Sequence, residues 1–420
     1  MGNHFPVNFL WGSSTAAYQV EGNNINSEFW AEEHAEGSPY LDKSGDTIDH
    51  YRLYREDIAL MASMGLKAYR FSLEWARIEP EAGHFSQSAI EHYRNVLEAC
   101  HEYGLTPIVA LHHFSSPKWL MRLGGWANPR IPELYSAYCE VVIRELGHLI
   151  PYVLTFNEVN LPIMLRQAFS SIGLIPPVGI DAAAWAAPKW RESAAQLCGT
   201  TVDQYFTFHM ISDEVSISIL KAAHRKGRET IKRIRPEIQV GLSMALSDFQ
   251  SIPGGEAIAE RKWKDNFGEY AELVQEDDFF GLQNYTREVY GPNGLVKPSQ
   301  DAELTQMKYE FYPEALGNVI QKVAQEIHIP IIITEHGIAT DNDSRRVEFI
   351  RIGLEGVEDC LAKGIDIRGY MHWSTFDNFE WNSGYSMAFG IIAVDRTTQE
   401  RKVKESGYYL GNIAKANTLV

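Results

Sequence analysis

The chain has 420 residues, 45% of them hydrophobic and 22% charged, a globular balance that excludes a mainly disordered or fibrous protein. Its 38 Lys plus Arg stand against 55 Asp plus Glu, and the net charge of −17 argues against nucleic acid and anionic membranes as partners. Cys100, Cys139, Cys198 and Cys360 are scattered without a CxxC pair, which disfavours a zinc ribbon or a disulfide framework and reads as reduced packing residues. No Lys or Arg precedes Lys43 and no apolar run approaches the ~18 residues that could span a bilayer. The expectation is a soluble, cytoplasmic protein.

In chain order, short apolar runs alternate with stretches of helical spacing. The runs Phe9–Ser14, Lys67–Leu73, Thr106–His112, Tyr152–Asn157, Gln239–Met244, Phe279–Asn284, Pro330–Glu335 and Arg368–Trp373 predict eight strands. Their continuous Val/Ile/Leu/Phe character suits parallel strands covered on both faces. Helices are predicted over Tyr51–Met64, Ser88–Tyr103, Pro132–Gly147, Asp213–Arg235, Pro313–Ile327 and Arg345–Lys363, with Gly65, Gly104 and Gly364 placed as left-handed caps past three of them. Eight such units close most economically into a (β/α)8 barrel, an α/β TIM barrel whose chemistry sits where strands run out into loops. No repeat, charge block or linker divides the chain, so one domain over residues 1–420 is expected. The loops after strands four, six and eight are the long ones, and Ile175–Thr200, with Trp185 and Trp190, reads as a segment covering the site.

Strand four ends in Thr155-Phe156-Asn157-Glu158 and strand seven in Thr334-Glu335-His336-Gly337. A carboxylate at the end of an apolar strand is costly unless paired, hydrogen-bonded or protonated, so both positions suggest tuned ionisation. Either glutamate alone could be a structural ion pair. Two across an aromatic-lined pocket fit glycoside hydrolysis, in which one carboxyl protonates the leaving oxygen and the other attacks the anomeric carbon. Tyr18-Gln19-Val20-Glu21, His112-His113-Phe114 and Gln283-Asn284-Tyr285 supply sugar-bonding groups at other strand ends. His112 and His113 invite a metal, but adjacent residues point to opposite sides and no third ligand stands at suitable spacing, so no metal or cofactor is expected. Arg70, embedded in Tyr69-Arg70-Phe71-Ser72, needs a buried carboxylate, and Glu335 is the candidate.

These residues resemble glycoside hydrolase family one, the β-glucosidase and β-galactosidase group, from Phe9 to about Tyr409. Phe9-Leu10-Trp11-Gly12 with Tyr18-Gln19-Val20-Glu21-Gly22 is similar to the family's opening, and Tyr69 through Ile78 to its second-strand block. Asn157-Glu158 and Thr334-Glu335-His336-Gly337 resemble its two catalytic motifs, and Trp373, Asp377-Asn378-Phe379-Glu380-Trp381 and Phe389-Gly390 its eighth loop. The resemblance implies Glu158 as acid/base and Glu335 as nucleophile of a retaining route, with Arg70 and Tyr285 bonding Glu335. It further implies that Gln19, His113, Asn157 and Glu380 hold sugar hydroxyls, with Trp373 as stacking floor and Trp381 beside Glu380. Phe114, Val159, Gln283 and His336 depart from the pattern, standing where tryptophan, proline, asparagine and asparagine are usual. The chain is also short for the family, which implies trimmed loops on the aglycone side.

The implied substrate is a small neutral β-glycoside or oligosaccharide, cleaved at its non-reducing end. A 6-phospho-glycoside needs a Lys or Arg near the eighth loop, and Tyr370 through Asp395 contains none. A non-catalytic sugar-binding barrel is disfavoured by the presence of both glutamates, and transglycosylation would use the same residues. Preferred sugar, aglycone and oligomeric state are not written in these motifs.

Overall fold

The computed structural model describes residues 5–170, 188–211 and 213–419. All eight expected strands are present: Leu10–Ser14, Ala68–Ser72, Thr106–Ala110, Tyr152–Leu154, a fifth in two pieces (Gln239–Gly241 and Ser243–Ala245), Phe280–Asn284, Ile331–His336 and Ile367–Trp373. They pair in parallel in sequence order, and the first also pairs with the eighth, Leu10 opposite Gly369. The fifth strand hands over between neighbours. Gln239–Gly241 pairs with the fourth strand, Ser243–Ala245 with the sixth, and the carbonyl of Leu242 between them accepts from Gly281 N at 2.9 Å. The result is a nearly closed (β/α)8 cylinder.

The expected helices form over His50–Met64, Gln87–Glu102, Ile131–Leu146, Glu214–Ile234, Ala315–Glu326 and Asp343–Ala362. Asp213 caps the fourth of these by accepting from Ser216 N, and Gly65, Gly104 and Gly364 take φ of 113°, 74° and 84° past the ends of three. Side chains sort by alternation. In the second strand Tyr69 and Phe71 join the large core between barrel and helices, while Ala68 joins a smaller inner core with Ile108, Leu154, Phe279, Ile332 and Met371. Arg70 and Ser72, on the face of Ala68, therefore point into the barrel above that plug.

Part of Ile175–Thr200 lies outside the described residues. Its end is the helix Pro188–Leu197, which buries Trp190 and packs beside the short helix Glu28–His34 of the first loop, where Glu36 N meets Ser193 Oγ at 2.9 Å. Elements without a signal in the apolar runs include this Glu28–His34 helix, a side sheet of Asp248–Ser251, Arg287–Gly291 and Gly294–Leu295, and a closing helix Glu405–Ala416. No described helix is long and apolar enough to cross a membrane.

Candidate active site

The fourth and seventh strands reach the barrel mouth through interruptions of the same kind. In the seventh, Ile332 faces the inner core and Ile331 and Ile333 the outer one, so strict alternation would turn Glu335 outward toward the helices. The register shifts between Ile333 and Glu335, leaving Thr334 as an extra residue, and Glu335 comes to lie opposite Gln283 and inside the cavity. His336 then faces outward, its ring 4.5 Å from that of Phe349 and its Nδ1 2.8 Å from Tyr370 Oη. In the fourth, Leu154 is in the inner core, but Thr155 bonds the helix residue His224 and Phe156 packs on Trp126 and Tyr135, so two successive residues face out. Asn157 returns to the interior, and Glu158 follows at φ 45°, an uncommon conformation for a residue with a side chain.

A pocket enclosing about 450 Å³, counted together with the solvent it opens onto, lies where these ends meet. Glu158, Glu335, Tyr285, His113, Trp373, Glu380 and Trp381 all line it. Phe114 and Trp381, like Glu158, hold positive φ, 68° and 47°, so three side chains of the wall sit on left-handed backbone.

The two glutamates have unlike surroundings. Buried Glu335 accepts from Arg70 Nη1 on one carboxyl oxygen and from Tyr285 Oη on the other. Half-buried Glu158 has no hydrogen bond to its carboxyl among the described residues. Loss of solvent raises both pKa values. For Glu158 the negative charge of Glu335 adds to that rise, and it goes well above the ordinary carboxylate value with only Arg70 opposing. For Glu335 the Arg70 charge and the bonds from Tyr285 and Arg70 counter the rise. The proton of this pair belongs on Glu158. Tyr285 remains a donor, because burial and the Glu335 charge push its hydroxyl well up.

The remaining expected groups gather around the pair. Arg70 Nη2 donates to Asn157 Oδ1, and Asn157 Nδ2 lies 3.1 Å from His113 Nε2. Gln19 is fully buried, gives Nε2 to Phe379 O at 2.8 Å and leaves its own carbonyl oxygen without a partner among the described residues. Glu380 is 1% exposed, neither carboxyl oxygen has a partner at hydrogen-bond distance among the described residues, and burial raises its pKa well above the ordinary range, with Gln19 opposing and Glu335 adding to the rise. Trp373 and Trp381 lie 26° and 23° from the plane of the His113 ring. Such buried, unpaired acceptors beside aromatic faces are a site built to receive hydroxyls and C–H surfaces together.

His112 turns away from His113, with Nε2 3.1 Å from Ser116 Oγ and its ring against Trp126, and no cluster of three or more metal-ligating side chains occurs among the described residues. Phe29, Leu161, His209 and Asn382 also line the cavity and carry no signal in the strand-end motifs. They arrive from loops and short helices, and for Asn382 only its place after Glu380-Trp381 could have drawn notice.

A model of the family described as Glycosyl hydrolase family 1 matches residues 1–419. The chain belongs to glycosyl hydrolase family 1. It is an O-glycoside hydrolase with sugar substrates. Among curated relatives, Beta-glucosidase A of Thermotoga maritima is 30% identical over 452 positions, covering 99% of this chain and 98% of the relative. That alignment is longer than the chain's 420 residues, so the relative carries segments this family 1 hydrolase lacks. The crystal structure of beta-glycosidase BGL167 superposes with TM-score 0.92 at 47% identity, covering 99% of this chain and 98% of that one. A Thermotoga maritima beta-glucosidase in complex with castanospermine superposes with TM-score 0.83 at 26% identity, covering 100% of both chains.

Proposed function

We propose that this family 1 hydrolase is a retaining β-glycosidase of the β-glucosidase type, with Glu335 as nucleophile and Glu158 as acid/base. The observation that carries the assignment is the asymmetry of partners. A nucleophile needs its charge held and oriented, which Arg70 and Tyr285 do for Glu335. A general acid needs a proton at neutral pH, which burial and the neighbouring charge keep on Glu158. Glu335 attacks the anomeric carbon as protonated Glu158 gives its proton to the departing oxygen. The covalent ester removes the charge of Glu335, so the pKa of Glu158 falls, and the carboxylate left by proton donation stays ionised and deprotonates the water that frees the sugar. Gln19, His113, Asn157 and Glu380 hold the sugar hydroxyls, Trp373 provides the stacking face, and Trp381 backs Glu380.

A neutral glycone is favoured, because the cavity wall places Glu380 and no lysine or arginine among its described lining residues. The catalytic unit is the single domain over residues 1–420. A cytoplasmic setting agrees with four free, buried cysteines whose thiols burial holds protonated. The test is a panel of nitrophenyl β-glucoside, galactoside, fucoside, mannoside and xyloside. Turnover with retention at the anomeric carbon, abolished by Glu335→Gln, is the expected result; binding without turnover by the intact protein would support a sugar-binding barrel instead.

A further inference from the structure

Asn157 Oδ1 lies under three donors: Arg70 Nη2, Gln283 Nε2 at 2.6 Å and Ser243 Oγ at 3.3 Å. A guanidinium only donates, so chemistry places the amide oxygen, and not the nitrogen, against Arg70. Gln283 is oriented by the same logic. Its Nε2 also lies 3.2 Å from Ser243 Oγ, and turning its amide over would set two carbonyl oxygens against each other. All of these side chains are buried.

The far end of Asn157 follows. Its Nδ2 is a donor 3.1 Å from His113 Nε2, so Nε2 accepts and the ring carries its proton on Nδ1. That Nδ1 is buried and has no partner among the described residues. We propose that Gln283, with Ser243 in support, is a positioning residue: it locks the Asn157 amide, which aims Arg70 at Glu335 and fixes His113 as the Nδ1-protonated tautomer beside the sugar cavity. The catalytic half of this inference rests on Glu335 being the nucleophile; the tautomer half rests on hydrogen-bond chemistry alone.

Three variants and one spectrum test it. Gln283→Leu is expected to lower kcat ten- to a hundredfold on a nitrophenyl glycoside while KM stays within threefold. Gln283→Glu preserves shape but sets an acceptor against Asn157 Oδ1 when ionised. It should regain at least tenfold of its lost kcat as pH falls and the new carboxyl protonates, which a merely structural role would not produce. Ser243→Ala should cost less than fivefold. In ¹⁵N-histidine-labelled protein, the resonance missing from His113→Asn should show the Nδ1-protonated pattern whether or not any glycoside is hydrolysed. A Gln283→Leu variant within twofold of wild-type kcat, or a Gln283→Glu variant whose loss does not vary with pH, overturns the positioning role even where wild type is active. An Nε2-protonated His113 overturns the whole chain.

Discussion

The ends of the fourth and seventh strands present the same side chain to the same cavity, and almost everything around the two differs. Glu335 arrives through an extra residue in its strand and is gripped from both sides, whereas Glu158 stands on left-handed backbone half-buried with its carboxyl unheld among the described residues. The interruption of alternation brings each carboxyl inward; the partners then decide what each can do. In the proposed mechanism two chemically identical groups divide into a nucleophile and a proton donor because one was given donors and the other a negative neighbour.

The comparison is broken most severely at the held end. Glu335→Gln removes the proposed nucleophile and should cost at least about 10⁴-fold in kcat on every substrate, whatever the leaving group, as read by steady-state turnover. Glu158→Gln should be selective: about 10²–10⁴-fold loss with a poor leaving group such as a sugar or alkyl alcohol, and far less in the bond-cleavage step with dinitrophenolate, measured as a pre-steady-state burst. Equal losses across leaving groups would show that Glu158 is not the proton donor.

Tyr285→Phe makes the two ends more alike. Loss of a hydrogen bond to a charged group is worth about 1.5–3 kcal/mol, so kcat/KM should fall about 10- to 150-fold. The Tyr285 bond lowers the pKa of Glu335, which must be ionised to attack. Its removal should therefore move the acid limb of the pH–rate profile to higher pH and leave the alkaline limb, set by deprotonation of Glu158, nearly in place. The smallest effect is expected at Gly353, where a methyl group would lie 2.4 Å from Cε1 of His336, the outward neighbour of Glu335. Gly353→Ala should cost about 1–3 kcal/mol through overpacking, seen as a lowered Tm with a modest loss of kcat.

Much of this was legible in the residues. Each expected strand lies at its apolar run, because parallel strands covered on both faces leave little room to mistake Ile331–Ile333 or Ile108–Ala110 for anything else. The chemical groups were legible too, since Arg70 and Glu335 cannot be buried apart. What could not be read is the inward turn of Glu335. Counting by twos from Ile332 points it at the helix layer, and only the register shift beside Thr334 corrects that. The fourth strand was expected to run to Asn157 and its regular ladder stops at Leu154, where Thr155 N makes the last rung to Gly241 O and the chain beyond is tied back by Asn157 N to His112 O. Phe29, Leu161, His209 and Asn382 escaped notice because their place in the wall depends on how loops and short helices dock, which no periodicity records.

The divided fifth strand has one more implication. Going from Glu158 to Glu335 by the shorter arc, the ladder crosses the break in this strand, where Ser243 N bonds Phe156 O and Val159 N bonds Ser243 O on one side and Gly281 N bonds Leu242 O on the other. The two acids are thus held apart by a strand tied to both of its neighbours across its own break.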